Sequence, residues 1–449
     1  MIEQVGPGTA PAAASTGAVA APAGTASGDG AQDAERPLPP LYRNRKFATF
    51  WTAQVLSHAG SQVTELAVPL TAVLVLSATP VQMGLLTTVE ALPSLVVGVL
   101  LGVLVDRVRR GPFLIWCNLG QAVVLATIPV AAWLGLLTFG QLLVVMFIAG
   151  SLALGYALAQ TAYLPALVDR RQLTAANSSV SLSDSVTSVA GPGLGGALVQ
   201  LLTAPIAVLV DVASFLVSAL LQLGARRPEP PPAPRTRLGV SVREGFAAFR
   251  RHPGVLALTV GKGTFEFFHW GVIALSVLFA IRELGLSPAG LGVVGMLSTL
   301  GPLLAGAIAS PVNRRWGTAW TSVVASALLG GNLLIPFADG PTWARAGVLV
   351  VANTMVGLGA VYLIIVRATM VQQSVPSALL GRVTAAIRLV EWGPGPLGAL
   401  AGGFLGQALG LRPALFILGA GCLLGLPWIA VAAGRGRLGT DPVTSTAPA

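Results

Sequence analysis

The chain has 449 residues, of which 54% are hydrophobic and only 10% charged. Soluble domains carry about 25% charged residues, so water could not solvate an apolar surface of this size and lipid must be the solvent. The net charge is +10, but the basic residues fall in short clusters between apolar spans, which excludes nucleic acid as a partner and fits instead the alternation of basic and charge-poor loops that sets membrane topology.

In chain order, residues 1–40 are rich in Ala, Gly, Pro, Ser and Thr without periodicity; they are expected to form a disordered cytoplasmic tail and not a signal peptide. About twelve apolar spans follow, each near the ~20 residues needed to cross a bilayer. In the first half (41–224) they are expected at 47–76, 80–105, 113–135, 139–167, 174–202 and 205–224, and in the second half (252–433) at 253–282, 287–312, 318–338, 344–374, 379–409 and 412–433. Between the halves, residues 225–251 begin as a proline-rich linker and continue with Val242, Phe246 and Phe249 at helical spacing. That pattern predicts an amphipathic helix on the cytoplasmic membrane surface, its basic face meeting anionic lipid. Residues 434–449 form a second cytoplasmic tail. Both termini and the loops carrying Arg43 to Lys46, Arg107 to Arg110, Arg170–Arg171, Arg250–Arg251 and Arg314–Arg315 are thereby placed in the cytoplasm; Arg282, Arg345 and Arg412 break the pattern.

The second half repeats the first at an offset of 207 residues: Asp106-Arg107 becomes Asn313-Arg314, Gly195-Gly196 becomes Gly402-Gly403, and Gln160 becomes Arg367. The fold class follows as an all-α polytopic membrane protein of two pseudo-symmetric six-helix bundles, a duplication typical of secondary transporters. No Gly-x-x-x-x-Gly-Lys-Ser/Thr phosphate loop occurs, and the three histidines are too scattered for a metal-dependent hydrolase. The chain is therefore read as no enzyme, with no cofactor and no metal site; Cys117 and Cys422 read as buried hydrophobes.

The loop after the second span holds Gly102, Asp106, Arg107 and Arg110 at the spacing Gly-x-x-x-Asp-Arg-x-x-Arg, and the fifth span holds Gly191-Pro192 with Gly195-Gly196. With Asp211-Val-Ala-Ser-Phe215 and Gly381-Arg382-Val-Thr-Ala, these features resemble the major facilitator superfamily, in particular its bacterial drug and siderophore efflux branch of macrolide and enterobactin exporters. The resemblance covers residues 41–435; Arg109 stands where the family pattern often has glycine. It implies alternating access, a gating role for Gly102, Asp106, Arg107, Arg110, Asn313 and Arg314, and a central cavity lined by spans 1, 4, 7 and 10. Gly191, Pro192, Gly195 and Gly196, with Gly395, Pro396, Gly402 and Gly403, remove side chains or bend the axis, and suit packing surfaces that rock or slide.

Intramembrane ionisable residues need partners or a wet cavity. His58, Gln62 and Glu65 share one face of the first span; Lys262, Glu266 and His269 share one face of the seventh. Tyr156 and Gln160 on the fourth span and Tyr362 and Arg367 on the tenth complete the expected substrate cavity. Lys262 lies one turn from Glu266 and Arg388 three residues before Glu391, arrangements that favour permanent ion pairs. Glu65 and Glu90 have no such cation and are the leading candidates for proton exchange; Asp184 and Asp211 are weaker ones, with serines nearby. The expected function is export of a small amphipathic molecule in exchange for protons, by a monomer in contact with membrane lipids. An importer or facilitator of the same architecture, or a non-transporting membrane scaffold, are the alternatives.

Overall fold

The structure, a computed structural model, describes residues 40–224, 246–247 and 249–438. The expected N-terminal tail, most of the linker with its surface helix, and most of the C-terminal tail lie outside the described residues. Among the described residues every regular element is helical. The first half consists of α1 (Arg45–Leu74), α2 (Pro80–Leu92, continued through Pro93–Val97 and Gly98–Val105), α3 (Arg110–Trp133), α4 (Phe139–Leu167), α5 (Leu173–Leu202) and α6 (Ala204–Gly224). The second consists of α7 (Pro253–Arg282), α8 (Pro288–Ser298 and Leu300–Trp316), α9 (Thr318–Leu328, tightening into Leu329–Phe337), α10 (Thr342–Ser374), α11 (Ser377–Trp392 and Gly395–Leu409) and α12 (Leu411–Cys422, Leu423–Gly425 and Leu426–Gly434). The expected spans thus all form helices, with their ends shifted by a few residues.

Local chemistry sets these ends. The side chain of Asn44 accepts from the Phe47 N–H at 3.3 Å and donates to the Leu167 carbonyl at 3.0 Å, capping α1 and tying it to the end of α4. Thr79 and Gln82 form a reciprocal capping box ahead of Pro80, which opens α2. Pro93, which has no N–H to give, is followed by wide turns over Pro93–Val97 in mid-helix. Gly393 and Pro394 break α11 into its two segments.

Ten of the described helices are long and apolar enough to cross a membrane, and α1 and α11 are the two spans that fall outside this set. The reason is polar load. Gln54, Ser57, His58, Ser61, Gln62, Thr64 and Glu65 lie on α1, while α11 is interrupted and carries Arg382, Arg388 and Glu391. These two helices are shielded by protein and cavity more than by lipid.

The duplication seen in the sequence governs the packing. α1 packs on α5 and α6 as α7 packs on α11 and α12, and α3 packs on α4 as α9 packs on α10. The turns at 75–79, 134–138, 203, 283–287, 338–341 and 410 mark one end of the bundle, the short-turn end; the arginine clusters mark the other, the basic end. At the short-turn end one hydrophobic cluster runs through both halves, joining Leu70, Leu86 and Val199 to Leu275, Leu278 and Val294. Toward the basic end the core divides. One cluster holds only first-half residues such as Phe50, Leu114 and Tyr163; another holds only second-half residues such as Phe265, Val366 and Ile429. The halves are welded at the short-turn end and separate at the basic end. Phe249 is buried in the second-half cluster and Phe246 packs edge-on against it at 6.4 Å.

The three arginines that break the charge pattern all fasten the short-turn end. Arg282 donates to the Ala78 carbonyl at 2.9 Å across the two halves, and Arg345 donates to the Leu284 carbonyl at 3.0 Å. Arg412 pairs with Glu283 at 2.9 Å and donates to the Pro336 carbonyl at 2.9 Å. Each guanidinium satisfies helix-terminal carbonyls in a place where water is scarce.

Thr203, in the tight turn between α5 and α6, has φ 77° and ψ 155°. Its counterpart in the second half is Gly410, with φ 88°. This region is essentially reserved for glycine, and other residues held there cost roughly 1–3 kcal/mol. Replacing Thr203→Gly is expected to stabilise the protein by about 1 kcal/mol, read as a higher thermal-unfolding midpoint of the detergent-purified chain; an unchanged or lower midpoint would contradict the strain.

Candidate functional site

The weld between the halves consists of two helix crossings related by the internal repeat. α5 crosses the first segment of α8 where Gly196 meets Gly292. A Cβ built on Gly196 would lie 2.8 Å from the Gly292 Cα, and one on Gly292 2.9 Å from the Gly196 Cα. α2 crosses the second segment of α11 where Gly84 meets Gly403, with corresponding approaches of 3.0 and 3.1 Å. Gly403 is the repeat counterpart of Gly196, and Gly292 stands 208 residues after Gly84. Thr88 adds a bond from its hydroxyl to the Pro396 carbonyl at 3.0 Å. Backbones this close exclude any side chain, as in small-residue contacts between membrane helices. The remaining glycines of the two zones face inward within their own halves. Gly191 leaves room for the Gln62 side chain and Gly195 for the α1 backbone; Gly395 packs on Trp270, and Gly398 and Gly402 pack on the α7 backbone. Pro192 packs against Gly295 across the crossing.

Below this seal, about halfway along α1, lies a cavity of about 340 Å³ lined by Gln54, Ser57, His58, Ser61, Gln121, Ala153, Tyr156, Ala157, Gln160, Asp184 and Phe215. Of the sequence-derived cavity residues it gathers His58, Tyr156 and Gln160, and it adds Asp184, which the sequence reading ranked low. Gln54, Ser57, Gln121 and Phe215 were missed, although Gln54, Ser57 and Ser61 share the α1 face of His58 at helical spacing and were legible in principle. Behind the cavity a buried polar chain holds the wall. Asn118 donates to Ser218 at 3.0 Å, and Gln222 donates to the Tyr156 hydroxyl at 2.8 Å. A second, apolar cleft of about 350 Å³ sits against the α11 break, lined by Val260, Gly263, Thr264, Phe267, Phe268, Val390 and Pro394.

One turn further along α1, the Gln62 amide donates to Glu65 at 3.1 Å. Glu65 is exposed and lies outside the cavity lining, and its charge is felt by both His58 and Glu90. Glu90 is half-buried, two residues beyond Thr88 and three before Pro93, and among the described residues its carboxyl has no hydrogen bond or ion pair. Asp211 is otherwise. It is buried on α6 and accepts from Thr64 at 2.6 Å and from Ser214 at 3.1 Å, so it fastens α6 to α1.

The second half places its charges differently from expectation. Lys262 pairs with Glu266 as their spacing implied, and Lys262 is buried. Glu391 pairs with Arg367 of α10 and not with Arg388 on its own helix. A buried acid takes the cation that reaches it in the same dry layer, while Arg388 points to an exposed face. Arg367 is thereby engaged within the protein and is no free cavity residue. His269 also departs from the expected cavity: its ring stacks on Phe265 at 4.8 Å, and its Nδ1 meets the Asn332 amide of α9 at 2.8 Å. Tyr362 is buried in the second-half core.

At the basic end Asp106 and Arg107 are exposed, and Gly102 stands in open space. Arg110 donates to the Ala162 carbonyl at 3.0 Å, near the end of α4. Asn313 accepts from Thr321 at 3.5 Å, and Arg314 is exposed. At this end the hydrophobic clusters of the two halves are separate among the described residues.

Two repeated helical bundles, sealed at one end around a mid-depth polar cavity, define an integral membrane protein of the transporter class. The sequence profile of the Major Facilitator Superfamily matches residues 50–392, and the chain belongs to that family. It is 27% identical over 402 residues to YfiS of Bacillus subtilis (strain 168), an uncharacterized MFS-type transporter, a match covering 86% of this chain and 92% of YfiS. It is 22% identical over 272 residues to macrolide efflux protein A of Streptococcus pyogenes, covering 58% of this chain and 65% of that protein. Among solved structures, a bacterial homologue of the human lysosomal transporter Spinster, inward-facing and unoccupied, superposes with a TM-score of 0.68 at 16% identity, covering 90% of this chain and 100% of that one. A bacterial homologue of the iron transporter ferroportin, also inward-facing, superposes with a TM-score of 0.70 at 17% identity, covering 88% and 100%. These structures share the fold.

The Arg367–Glu391 pair gives a direct test of the charge layout. Arg367→Met strands a buried carboxylate and is expected to cost about 3–5 kcal/mol, whereas the double change Arg367→Met with Glu391→Leu recovers most of the loss. Thermal unfolding of the purified variants reads both. A single variant as stable as the double would mean that Arg388 holds Glu391 after all.

Proposed function

We propose that this chain is a secondary active transporter that exports a small amphipathic molecule, such as an antibiotic, a macrolide-like compound or a siderophore, in exchange for protons. One arrangement carries the reading: a mid-depth cavity mixes aromatic rings with sparse polar groups, and Glu65 and Glu90, outside its lining, pair with no Lys or Arg among the described residues. Rings with a few fixed polar groups suit an amphipathic organic solute, and an acid without an ion-pair partner is free to exchange a proton. The resemblance to macrolide efflux protein A supports the efflux assignment.

The distribution of arginines between loops supports a cytoplasmic basic end; on this reading the protein is a plasma-membrane monomer with both termini inside. In the conformation described the cavity then opens inward, ready to load substrate. Closure of the basic end would bring the Gly102–Arg110 loop and its counterpart at Asn313–Arg314 together across the gap. The glycine crossings at the short-turn end would part in the same step, a rocking of two rigid bundles.

Flux measurements test this reading. In proteoliposomes with an imposed pH gradient, Glu65→Gln and Glu90→Gln are each expected to abolish gradient-driven uphill transport while leaving folding and membrane insertion intact. Cells expressing the native chain are expected to accumulate more substrate once an uncoupler is added. Unchanged uphill flux in both variants would remove proton coupling through these carboxyls, and a fall in accumulation on uncoupling would favour import.

A further inference from the structure

The two halves handle their buried charges differently, and the polar cavity is lined by first-half residues alone. In the second half Lys262 and Arg367 are each tied to a carboxylate, Glu266 and Glu391. In the first half the cavity lining includes no Lys or Arg. Its charged member is Asp184 on α5, half-buried, with no hydrogen bond or ion pair on its carboxylate among the described residues; only its backbone carbonyl is used, by Ser188. The one lining group that could carry positive charge, His58, interacts with Glu65. Asp184 is left as an uncompensated negative charge facing the cavity.

A second, independent observation comes from α1. Gln54 of α1 is 6% exposed, lines the same cavity, and its Oε1 is buried with no hydrogen-bond partner. An orphaned acceptor in a dry site costs roughly 1–3 kcal/mol, and a donor supplied by a ligand would recover that cost. The other polar groups of the lining have partners of their own. The Ser61 hydroxyl donates to the Ser57 carbonyl at 3.0 Å, and the Tyr156 hydroxyl accepts from Gln222 at 2.8 Å, so both are fixed in place by the protein. Aromatic faces from Tyr156 and Phe215, with the methyl groups of Ala153 and Ala157, complete the lining.

From this arrangement we infer that the first-half cavity is a subsite for a protonated amine carried on an apolar body. The ammonium group pairs with Asp184 and donates to Gln54 Oε1, while the body packs on Tyr156 and Phe215, whose ring faces also favour a cation. A volume of about 340 Å³ accommodates one headgroup and part of its body. An anionic solute finds no free cation in the lining. This inference deepens the proposed function by naming the chemistry of the solute, and it concerns binding alone.

The test is fluorescence titration of the full-length protein, purified into lipid nanodiscs at equal pH on both faces. Two probes are compared: dansylcadaverine, a protonated amine on a naphthalene body, and its N-acetyl derivative, which is uncharged. Dansylcadaverine is expected to bind saturably, and the acetylated probe at least tenfold more weakly. Asp184→Asn is expected to weaken dansylcadaverine at least tenfold, Asp184→Glu to restore binding to within threefold, and Gln54→Leu to weaken it severalfold. Equal affinity for the two probes, an unaffected Asp184→Asn, or no saturable binding of dansylcadaverine overturns the proposal. Should a variant fail to fold, the comparison of probes on the native chain still decides. Because no gradient is applied, loss of proton coupling would leave this result standing, and loss of amine selectivity would leave the transport reading standing.

Discussion

The structure depends on close approach of helix backbones at two places. Gly196 against Gly292 and Gly84 against Gly403 bring α5 to α8 and α2 to α11 with no room for a Cβ. In lipid there is no hydrophobic drive to hold helices together, so dispersion between well-fitted backbones has to serve. At the crossings themselves the helices keep their own backbone bonds when they part, while the Thr88–Pro396 and Arg282–Ala78 hydrogen bonds across the same seal would have to break. The single shared hydrophobic cluster at the short-turn end and the divided clusters at the basic end are its consequence.

Charge is distributed to suit the same design. Second-half charges are paired internally, Lys262 with Glu266 and Arg367 with Glu391, and act as rigid pins of that bundle. First-half acids divide into two kinds. Asp211 is satisfied by Thr64 and Ser214 and is part of the packing. Asp184 lines the cavity, Glu65 and Glu90 lie outside its lining, and none of the three pairs with a Lys or Arg among the described residues, so under the proposed cycle the first half does the chemistry and the second half supplies a stiff opposing wall.

Much of this was legible in the sequence, and the parts that were not have physical reasons. Span positions followed from hydropathy because lipid punishes exposed polar backbone along a whole helix. The repeat at 207 residues predicted the paired glycine zones, and their role in closing one end needed only the observation of which helices they touch. The Lys262–Glu266 pair was readable because both residues lie on one helix face. The Arg367–Glu391 pair was not, since it joins α10 to α11 and no local spacing encodes it. His269 shares a face with Lys262 on paper, yet Asn332 on α9 turns its ring into the core. Gln54 went unnamed and Asp184 ranked low because their significance lies in what they lack, a partner, and only the tertiary structure reveals that. The three out-of-pattern arginines were visible as exceptions, but their tasks as clamps on turn carbonyls depend on tertiary contacts.

Paired spin-label distances test the central claim most directly. One pair, at Arg107 and Arg314, reports on the basic end; a second, at Leu136 and Trp343, reports on the short-turn end, and all four positions are exposed. Cys117 and Cys422 are buried and leave labelling selective. Placing a valine at the crossings, Gly196→Val with Gly403→Val, is predicted to lengthen the short-turn distance and shorten the basic-end distance in the same molecules. If the two distances move together, or if neither moves although the valines are accommodated, the glycine crossings do not form the gate and the account fails.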